Sequence, residues 1–199
     1  MEDFIDFSNN SYCVIRKCIS NDLIKYLQIE SKLFENLICS IENKSPLSFA
    51  DSVKKSFSYY AAPFTESMLL YLKEKIESIV NKNLEVTYSY MRIYYSNAEL
   101  ERHIDRESCE YSITLCIKND VKPWDIWFET KNGEVSISLQ EGDMIIYKGM
   151  ELPHWRKKYE GNEQIQFFLH YIDKQGLYIN NILDKRQLLC TQKKRTYII

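Results

Sequence analysis

The sequence is poor in the residues that interrupt regular structure. Of 199 residues, only five are glycine and four are proline, well below the roughly 7% and 5% of an average protein. This scarcity excludes collagen-like and low-complexity chains and argues against long disordered stretches. No apolar run reaches the roughly 18 residues that a membrane-spanning helix needs, and the acidic residues 1–6 lack the features of a signal peptide. We therefore expect a cytoplasmic protein without a membrane partner.

The sequence also lacks an excess of charge and a cysteine pattern. Lysine and arginine total 26 against 28 acidic residues, for a formal net charge of −2. A basic excess usually accompanies nucleic-acid binding, so its absence argues against nucleic acid as a partner. The six cysteines contain no Cys-x-x-Cys pair, and we interpret them as free thiols without a metal role. The length favours one domain over residues 1–199.

The first 83 residues predict mainly helical structure. Residues 12–19 predict a short strand, and Ser20 or Asn21 then offers an N-cap for a helix that continues to about residue 42. Residues 49–60 favour a further helix, and the segment after Pro63 predicts a long one. The expected apolar faces comprise Leu23, Ile24, Leu27, Leu33, Leu37 and Ile38 on the first long helix, and Met68, Leu69, Leu72, Ile76, Ile79 and Val80 on the second.

After residue 83 the hydrophobic period changes from that of a helix to that of strands. Seven strands are predicted over residues 85–95, 100–104, 110–117, 124–130, 134–139, 142–148 and 164–173. Asn132 and Gly133 predict the turn of a hairpin. On the last strand, Ile165, Phe167, Leu169 and Tyr171 form the expected core face. Residues 84–175 thus predict an α+β fold with a β-sandwich or barrel supported by the N-terminal helices, and residues 176–199 predict a closing helix and tail.

Two of the three histidines lie in contexts that indicate metal binding. His103 and Asp105 are two residues apart at the end of a predicted strand, so their side chains share one face, about 6–7 Å apart at Cα. His154 follows 51 residues later and can be folded back beside them. Two histidines and one carboxylate on one face of a metal form the facial triad of non-haem Fe(II) oxygenases.

The segment around these residues resembles the prolyl-4-hydroxylase-like branch of the Fe(II)/2-oxoglutarate-dependent dioxygenases. The matching stretches are residues 91–95 (MRIYY), 101–106 (ERHIDR), 111–115 (YSITL), 142–147 (GDMIIY), His154 and 164–171 (QIQFFLHY). The resemblance implies a double-stranded β-helix, of the jelly-roll or cupin-like kind, as the core. It further implies that His103, Asp105 and His154 bind Fe(II), with 2-oxoglutarate and O2 as cosubstrates and ascorbate as a reductant.

The resemblance also implies a site for 2-oxoglutarate, with one departure. Tyr94 matches a tyrosine that commonly lines that site, but Gln164 stands where the family usually has an arginine or lysine. Because a buried carboxylate without a cation is costly, another base must compensate. Arg92 is the favoured candidate, and Lys118 and Arg156 are the alternatives.

The sequence indicates less about the substrate than about the metal site. Arg106, Trp155, Arg156 and His170 are candidate substrate-binding residues, and the arginines favour an anionic, amino-acid-like molecule or a biosynthetic intermediate. The expected reaction is hydroxylation of an unactivated C–H bond. Three alternatives stay open: a hydroxylase of a protein side chain of the prolyl type, a cupin-like metal-binding module without oxygenase activity, and an interaction module that uses the basic residues 193–195.

Overall fold

The computed structural model describes residues 7–120 and 124–192. Its α-helices are α1 (Phe7–Asn10), α2 (Asn21–Glu42) and α3 (Pro63–Val80). Its strands are β1 (Tyr12–Ile15), β2 (Ser56–Tyr60), β3 (Leu84–Tyr95), β4 (Leu100–His103), β5 (Tyr111–Lys118), β6 (Ile126–Thr130), β7 (Gly133–Ile137), β8 (Met144–Tyr147), β9 (His154–Arg156) and β10 (Glu163–Asp173). Short 3₁₀ segments occupy Pro46–Phe49, Glu107–Cys109 and Ile179–Lys185.

The boundaries of α2 follow from local capping chemistry, and the predicted start and end are confirmed. Ser20 precedes the helix in an extended conformation, and its hydroxyl accepts a hydrogen bond from the backbone N–H of Leu23. That bond satisfies one of the free N–H groups at a helix start. Asn43 ends the helix in the left-handed conformation, with φ of 49°, which asparagine tolerates better than most residues.

The apolar face of α2 is only partly the predicted one. Ile24 and Leu27 are buried as expected, but Leu33 and Leu37 are 61% and 54% exposed. The buried positions continue instead through Ser31 and Glu35. The prediction for Leu33 and Leu37 was wrong because apolar residues surround much of this helix, so that the spacing alone admits more than one face.

Helix α3 and its apolar face match the prediction. Proline stands at its first turn, where the missing N–H costs nothing, and Asn81 ends it in a left-handed conformation. The predicted stripe is buried or packed against the core at Met68, Leu69, Leu72, Ile76, Ile79 and Val80. The helix packs on β3 and β10 and covers one face of the sheet to which these two strands belong.

The strands form two antiparallel sheets. The larger has the order β1-β8-β5-β10-β3-β2, and the smaller has the order β4-β9-β6-β7. The two outer strands of the larger sheet come from the N-terminal part of the chain, which therefore contributes strands as well as supporting helices. Buried residues of both sheets, including Cys116, Tyr147 and Phe128, share one apolar cluster. The sheets thus pack on each other, with the other face of the larger sheet covered by helices.

Two predicted helices were wrong. Residues 49–60 contain β2, which pairs with β3 from Ser56↔Tyr94 to Tyr60↔Tyr90, because alternating serine and aromatic residues suit a sheet better than a helix. The closing helix expected over residues 176–189 is a 3₁₀ segment interrupted at Ile182, Leu183 and Asp184. The buried Asp184 carboxylate accepts hydrogen bonds from Tyr60, Arg106 and Ser108, and these contacts replace helical hydrogen bonds there.

Several strand boundaries differ from the prediction by a few residues. Strand β1 ends at Ile15 rather than at residue 19, and the β6–β7 turn passes through Lys131 and Asn132, so that Gly133 begins β7. The short strand β9 was not predicted. In the part of the chain that the structure describes, no helix combines the length and apolar character needed to cross a membrane. The basic residues 193–195 lie outside the described residues.

Candidate active site

The three residues of the predicted triad lie together. Strand β4 ends at His103, whose direct partner across the strand pair is His154, the first residue of β9. The imidazole ring centroids are 4.2 Å apart. The nearest carboxylate oxygen of Asp105 is 3.7 Å from Nε2 of His103 and 3.8 Å from Nε2 of His154. One potential ligand atom from each residue lies within 4.8 Å of the others, which suits coordination of a single metal ion.

Hydrogen bonds orient the two imidazoles toward this point. Nδ1 of His103 donates to the carbonyl oxygen of Glu101 at 2.8 Å, and Nδ1 of His154 donates to that of Leu152 at 3.0 Å. A carbonyl only accepts, so each Nδ1 carries the proton and each Nε2 presents a lone pair. Burial lowers the pKa of His154 more than the Asp105 carboxylate raises it. The neutral form, which binds metal, is therefore favoured.

The third side chain is held by the loop after β4. The backbone N–H of Asp105 donates to the carbonyl of Gly149 at 2.9 Å. Its Oδ2 accepts a hydrogen bond from the Ser112 hydroxyl at 2.7 Å, while Oδ1 faces the imidazoles. Ser112 in turn lies 3.1 Å from Nδ1 of His170. These contacts fix the carboxylate from the side opposite the metal position.

A cavity of about 290 Å³ opens beside the triad. Its walls combine aromatic rings with two arginines, each of which is paired with an aspartate. Arg92 pairs with Asp51, which also lines the cavity, and Arg106 pairs with Asp184, which does not. The lining residues beyond the triad are Asp51, Ser52, Tyr60, Tyr88, Tyr90, Arg92, Leu100, Arg106, Ile126, Tyr147, Phe168 and His170. The volume suits a small molecule or a single side chain more than an extended polymer.

Two predicted arginines line this cavity, and both are paired with carboxylates. Arg92 forms an ion pair with Asp51 and donates to the Ser58 hydroxyl at 3.0 Å. Arg106 donates to Asp184 through both terminal nitrogens, at 2.5 and 2.8 Å. Its guanidinium also lies 4.5 Å from the centre of the Tyr88 ring. The charge of each arginine is thus largely compensated within the protein.

Arg156 differs from both. It lies two residues after His154 on the same face of β9, and it is buried. Nη1 donates to the carbonyl of Trp124, whereas Nε and Nη2 have no hydrogen-bond partner among the described residues. Burial lowers the pKa of Arg156 below its ordinary value. Gln164, across from Tyr94 in the sheet, is also buried, and its Oε1 accepts no hydrogen bond from the part of the chain that the structure describes.

The remaining predicted residues have distinct positions. Tyr94 is buried between Arg92, 3.4 Å from its hydroxyl, and the Trp124 ring. His170 lines the cavity, and burial lowers its pKa to about 4. Trp155 alternates to the opposite face of β9 from His154, where its ring stacks on Trp127. Lys118 lies at the end of β5, outside the cavity lining, and pairs with Glu163 at 2.8 Å.

Several residues of the site were missed in the sequence, among them Ser112, Gly149 and Asp184. Ser112 lies in the strand after the His-x-Asp motif, and its alternation on β5 was the available signal. The only indication for Gly149 in the sequence was the scarcity of glycine, of which the chain has five. Asp184 had no signal, because its partners Arg106 and Tyr60 are far away in the sequence. A second group of potential ligands, Asp105, Cys109 and His170, shares Asp105 with the triad.

The comparisons with known proteins find a fold but no sequence relative. No family model and no curated protein matches the sequence. Among solved structures, a Pseudomonas putida prolyl-4-hydroxylase is 15% identical, with a TM-score of 0.64 over 86% of this chain and 96% of that one. HygX from Streptomyces hygroscopicus, with nickel and 2-oxoglutarate bound, is 10% identical, with a TM-score of 0.65 over 85% of each chain.

A third similar structure is SnoK, a non-haem, 2-oxoglutarate-dependent carbocyclase from nogalamycin biosynthesis. It is 9% identical, with a TM-score of 0.69 over 84% of this chain and 81% of that one. Each match covers more than four-fifths of both chains. The chain therefore has the fold that these three structures share, and the predicted likeness to a prolyl-4-hydroxylase is confirmed.

Proposed function

We propose that the protein is a non-haem Fe(II)- and 2-oxoglutarate-dependent dioxygenase with a double-stranded β-helix core. The observation that carries the proposal is the meeting of His103, Asp105 and His154 within 4.8 Å at the edge of a cavity. The fold shared with HygX, which holds nickel and 2-oxoglutarate, supports the same function. Neither argument depends on the other, since one concerns three side chains and the other concerns the backbone.

The donor set fits a ferrous ion. Two neutral imidazoles and one carboxylate suit Fe(II) and leave coordination positions free for other ligands. With Fe(II) and 2-oxoglutarate bound, such a centre supplies hydroxylation of a C–H bond: O2 and 2-oxoglutarate are consumed, one oxygen atom enters the substrate, and succinate, which takes up the other, leaves with CO2. The protein's part is to hold the ligands and to orient the substrate.

The chain's own residues perform that part in identifiable ways. Ser112 and the Gly149 carbonyl hold Asp105, and the Leu152 and Glu101 carbonyls hold the imidazoles. Tyr88, Tyr90, Tyr147 and Phe168 give the cavity an aromatic wall against which a substrate can pack. Arg106 and His170 are the residues that we propose to contact the substrate, because both line the cavity near Asp105.

A small molecule is the substrate class that we favour. The cavity of about 290 Å³ suits it, and two similar structures concern small molecules, HygX with hygromycin B and SnoK from nogalamycin biosynthesis. A protein side chain is the alternative, supported by the likeness to a prolyl-4-hydroxylase. An amino-acid-like substrate is less favoured than the sequence indicated, since Arg92 and Arg106 already have carboxylate partners.

The proposed function is tested by two measurements, the binding of Fe(II) and the formation of succinate from 2-oxoglutarate. We expect the purified protein to bind one Fe(II) without oxygen. When oxygen and ascorbate are added, it should convert 2-oxoglutarate to succinate and CO2, with ascorbate supplying the two electrons that no substrate provides in this assay. His103→Ala and His154→Ala each abolish both properties. His170→Gln is the matched control for metal binding, because it removes the third histidine, which belongs to the competing group with Asp105 and Cys109.

The possible results separate the candidate functions. Loss of metal binding in His170→Gln, with retention in His154→Ala, would place the metal in the competing group. Binding of Fe(II) without any 2-oxoglutarate consumption would favour a cupin-like metal-binding module instead. Full activity in His103→Ala would contradict a catalytic role for the triad altogether.

A further inference from the structure

Arg156 is a buried cation without an anionic partner in the described parts of the chain. Its exposed fraction is 1%, and its side chain is not within ion-pair distance of any described carboxylate. Its only hydrogen bond to a described residue is the one from Nη1 to the Trp124 carbonyl, and its guanidinium lies 5.1 Å from the Trp124 ring centre. A buried charge without a partner is costly, so such an arrangement indicates a site built for an anion.

The surroundings of Arg156 are also incompletely paired. Buried polar atoms without a hydrogen-bond partner among the described residues occur on β5 and β10 of the larger sheet and in the β9–β10 connection, in Thr114, Gln164, Gln166 and Tyr159. Gln166 lies across from Arg92 and Cys116 in the sheet, and the Cys116 thiol is electrostatically coupled to Arg156. Amides and hydroxyls donate hydrogen bonds to an anion as well as accept them. The region therefore offers a carboxylate one full charge and several neutral donors.

The position of Arg156 relative to the triad limits the size of the anion. Two residues along a strand separate His154 from Arg156 by about 6.6 Å at Cα, and both side chains point to the interior face. One short molecule can thus reach the metal position with one end and the guanidinium with the other. A five-carbon 2-oxo diacid has this length and has a carboxylate at each end.

We infer that Arg156 binds the distal carboxylate of 2-oxoglutarate, and that β9 supplies the cation that the family usually places on β10. The inference rests on the proposed function. Gln164 and Gln166, on β10, contribute neutral hydrogen bonds where that cation would stand. A bidentate guanidinium contact selects a carboxylate at this point over a shorter or uncharged chain end.

The other two candidates are less suited to this role. Arg92 has its charge compensated by Asp51 and its Nε bonded to Ser58, so that a second carboxylate would have to displace the first. Lys118 pairs with Glu163, which also pairs with Lys32, at the far end of β5 and β10. A carboxylate should bind most favourably to Arg156, because this cation has no carboxylate partner that would first have to be displaced.

The test measures binding instead of turnover. Ni(II)-loaded protein is titrated calorimetrically with 2-oxoglutarate and with 2-oxobutanoate, which lacks the distal carboxylate. We expect the wild-type protein to prefer 2-oxoglutarate by roughly 10- to 100-fold, the range of a charge-assisted hydrogen bond. Arg156→Met should reduce this preference to below about threefold, with the affinity for Ni(II) and for 2-oxobutanoate retained.

A charge-neutral double variant serves as the matched control. Arg92→Met combined with Asp51→Asn removes the competing arginine together with its partner, and it should keep the preference for 2-oxoglutarate. Arg156→Lys retains the charge but not the bidentate contact, and should keep part of the preference. It also replaces Arg156→Met in the test if that variant does not fold, in which case an undiminished preference overturns the inference.

The outcomes distinguish the inference from the function on which it rests. If the wild-type protein with Ni(II) binds neither 2-oxo acid, the proposed function is wrong. If the wild-type protein binds 2-oxoglutarate with the expected preference and Arg156→Met retains it in full, the function stands and the inference is wrong. Loss of the preference in the Arg92 double variant, with retention in Arg156→Met, would assign the role to Arg92.

Discussion

At the scale of single residues, Gly149 shows how closely the loops around the triad are packed. A Cβ atom built on Gly149 would overlap Asp105 Oδ2, the Ser112 hydroxyl and the Cys109 carbonyl oxygen. The carbonyl oxygen of Gly149 also accepts a hydrogen bond from the backbone N–H of Asp105. The position of the carboxylate thus depends on the absence of a side chain 44 residues further along the chain.

We predict that Gly149→Ala weakens metal binding by roughly 10- to 100-fold, because the added methyl group displaces Asp105 and ligand-positioning contacts have effects of this size. Ni(II) titration measures it. Gly133→Ala is the control: the turn glycine has φ of 108°, so alanine there is strained by about 1–2 kcal/mol, but no atom lies near the added Cβ. Equal metal affinities of the two variants would contradict the prediction.

The Asp51–Arg92 pair is a second contact that acts at residue scale. Burial raises the pKa of Asp51, but Arg92 and three hydrogen bonds outweigh burial and hold the pKa below its ordinary value of 3.8. A carboxyl group with a lowered pKa stabilises the fold above its ordinary pKa, and this contribution is lost as the pH falls through the lower, folded-state value.

We predict that Asp51→Asn reduces the free energy of unfolding at neutral pH by about 1–3 kcal/mol, because it leaves Arg92 buried without its carboxylate. The Asp51 side chain is 34% exposed, and solvent screening keeps the cost toward the lower end. Urea unfolding at neutral pH and well below pH 3.8 measures the effect, and the difference from wild type should narrow in acid.

A surface pair provides the control for this variant. Glu42 and Lys44 are both half exposed, so Glu42→Gln should change stability by less than about 1 kcal/mol. A difference between Asp51→Asn and wild type that stays constant down to the acid limit would show that the ion pair does not stabilise the protein in the way described.

At the scale of secondary-structure elements, α2 shows how packing against a sheet decides which face of a helix is buried. Its apolar residues surround most of the helix, and the sheet selects the face that carries Ile24 and Leu27. The polar Glu35 is buried on the same side because it accepts a hydrogen bond from Tyr95 and pairs with Lys32. Helical spacing identified the helix, but only the packing against the sheet identified its inner face.

Two identical substitutions on this helix should therefore differ in cost. We predict that Leu27→Ala lowers the free energy of unfolding by about 2–5 kcal/mol, the range for a buried leucine. Leu33→Ala should change it by less than about 0.5 kcal/mol, because Leu33 is exposed. Denaturant unfolding measures both. A cost above 2 kcal/mol for Leu33→Ala would mean that α2 packs with the other face inward.

Strand β10 was easier to predict than α2, for a physical reason. A strand has only two faces, and its alternation assigned Ile165, Phe167, Leu169 and Tyr171 to the helix-covered core, where all four are buried. The polar residues of the opposite face, including Gln164 and His170, then had to face the second sheet. The partners of Asp184 could not be anticipated in this way, because no period relates residues that meet through a loop.

At the scale of the whole molecule, the proposed metal site joins parts of the chain that are distant in sequence. His103 ends a strand of the smaller sheet, Asp105 lies in the following loop, and His154 pairs with both β4 and β6. An ion bound by all three would bind the folded state and not the unfolded chain, so it would stabilise the fold by mass action.

We predict that Ni(II) at about 100 times its dissociation constant raises the melting temperature by roughly 5–10 °C, which corresponds to about 2.7 kcal/mol for a chain of this length. Thermal unfolding with and without Ni(II) measures the shift. His154→Ala should show no shift at the same concentration. An equal shift in that variant would mean that the stabilising ion binds elsewhere.

The sequence by itself determined the helical and strand periods, the two long helices and most strands, and it singled out the three candidate metal ligands that the structure brings together. These features depend on the local spacing and chemistry of the residues, both of which can be read directly from the sequence. Only the tertiary structure decided which face of α2 is buried, that Arg92 and Arg106 are neutralised by aspartates, and that Arg156 has no carboxylate partner among the described residues. Those outcomes depend on contacts between residues tens of positions apart, and the fold alone sets them.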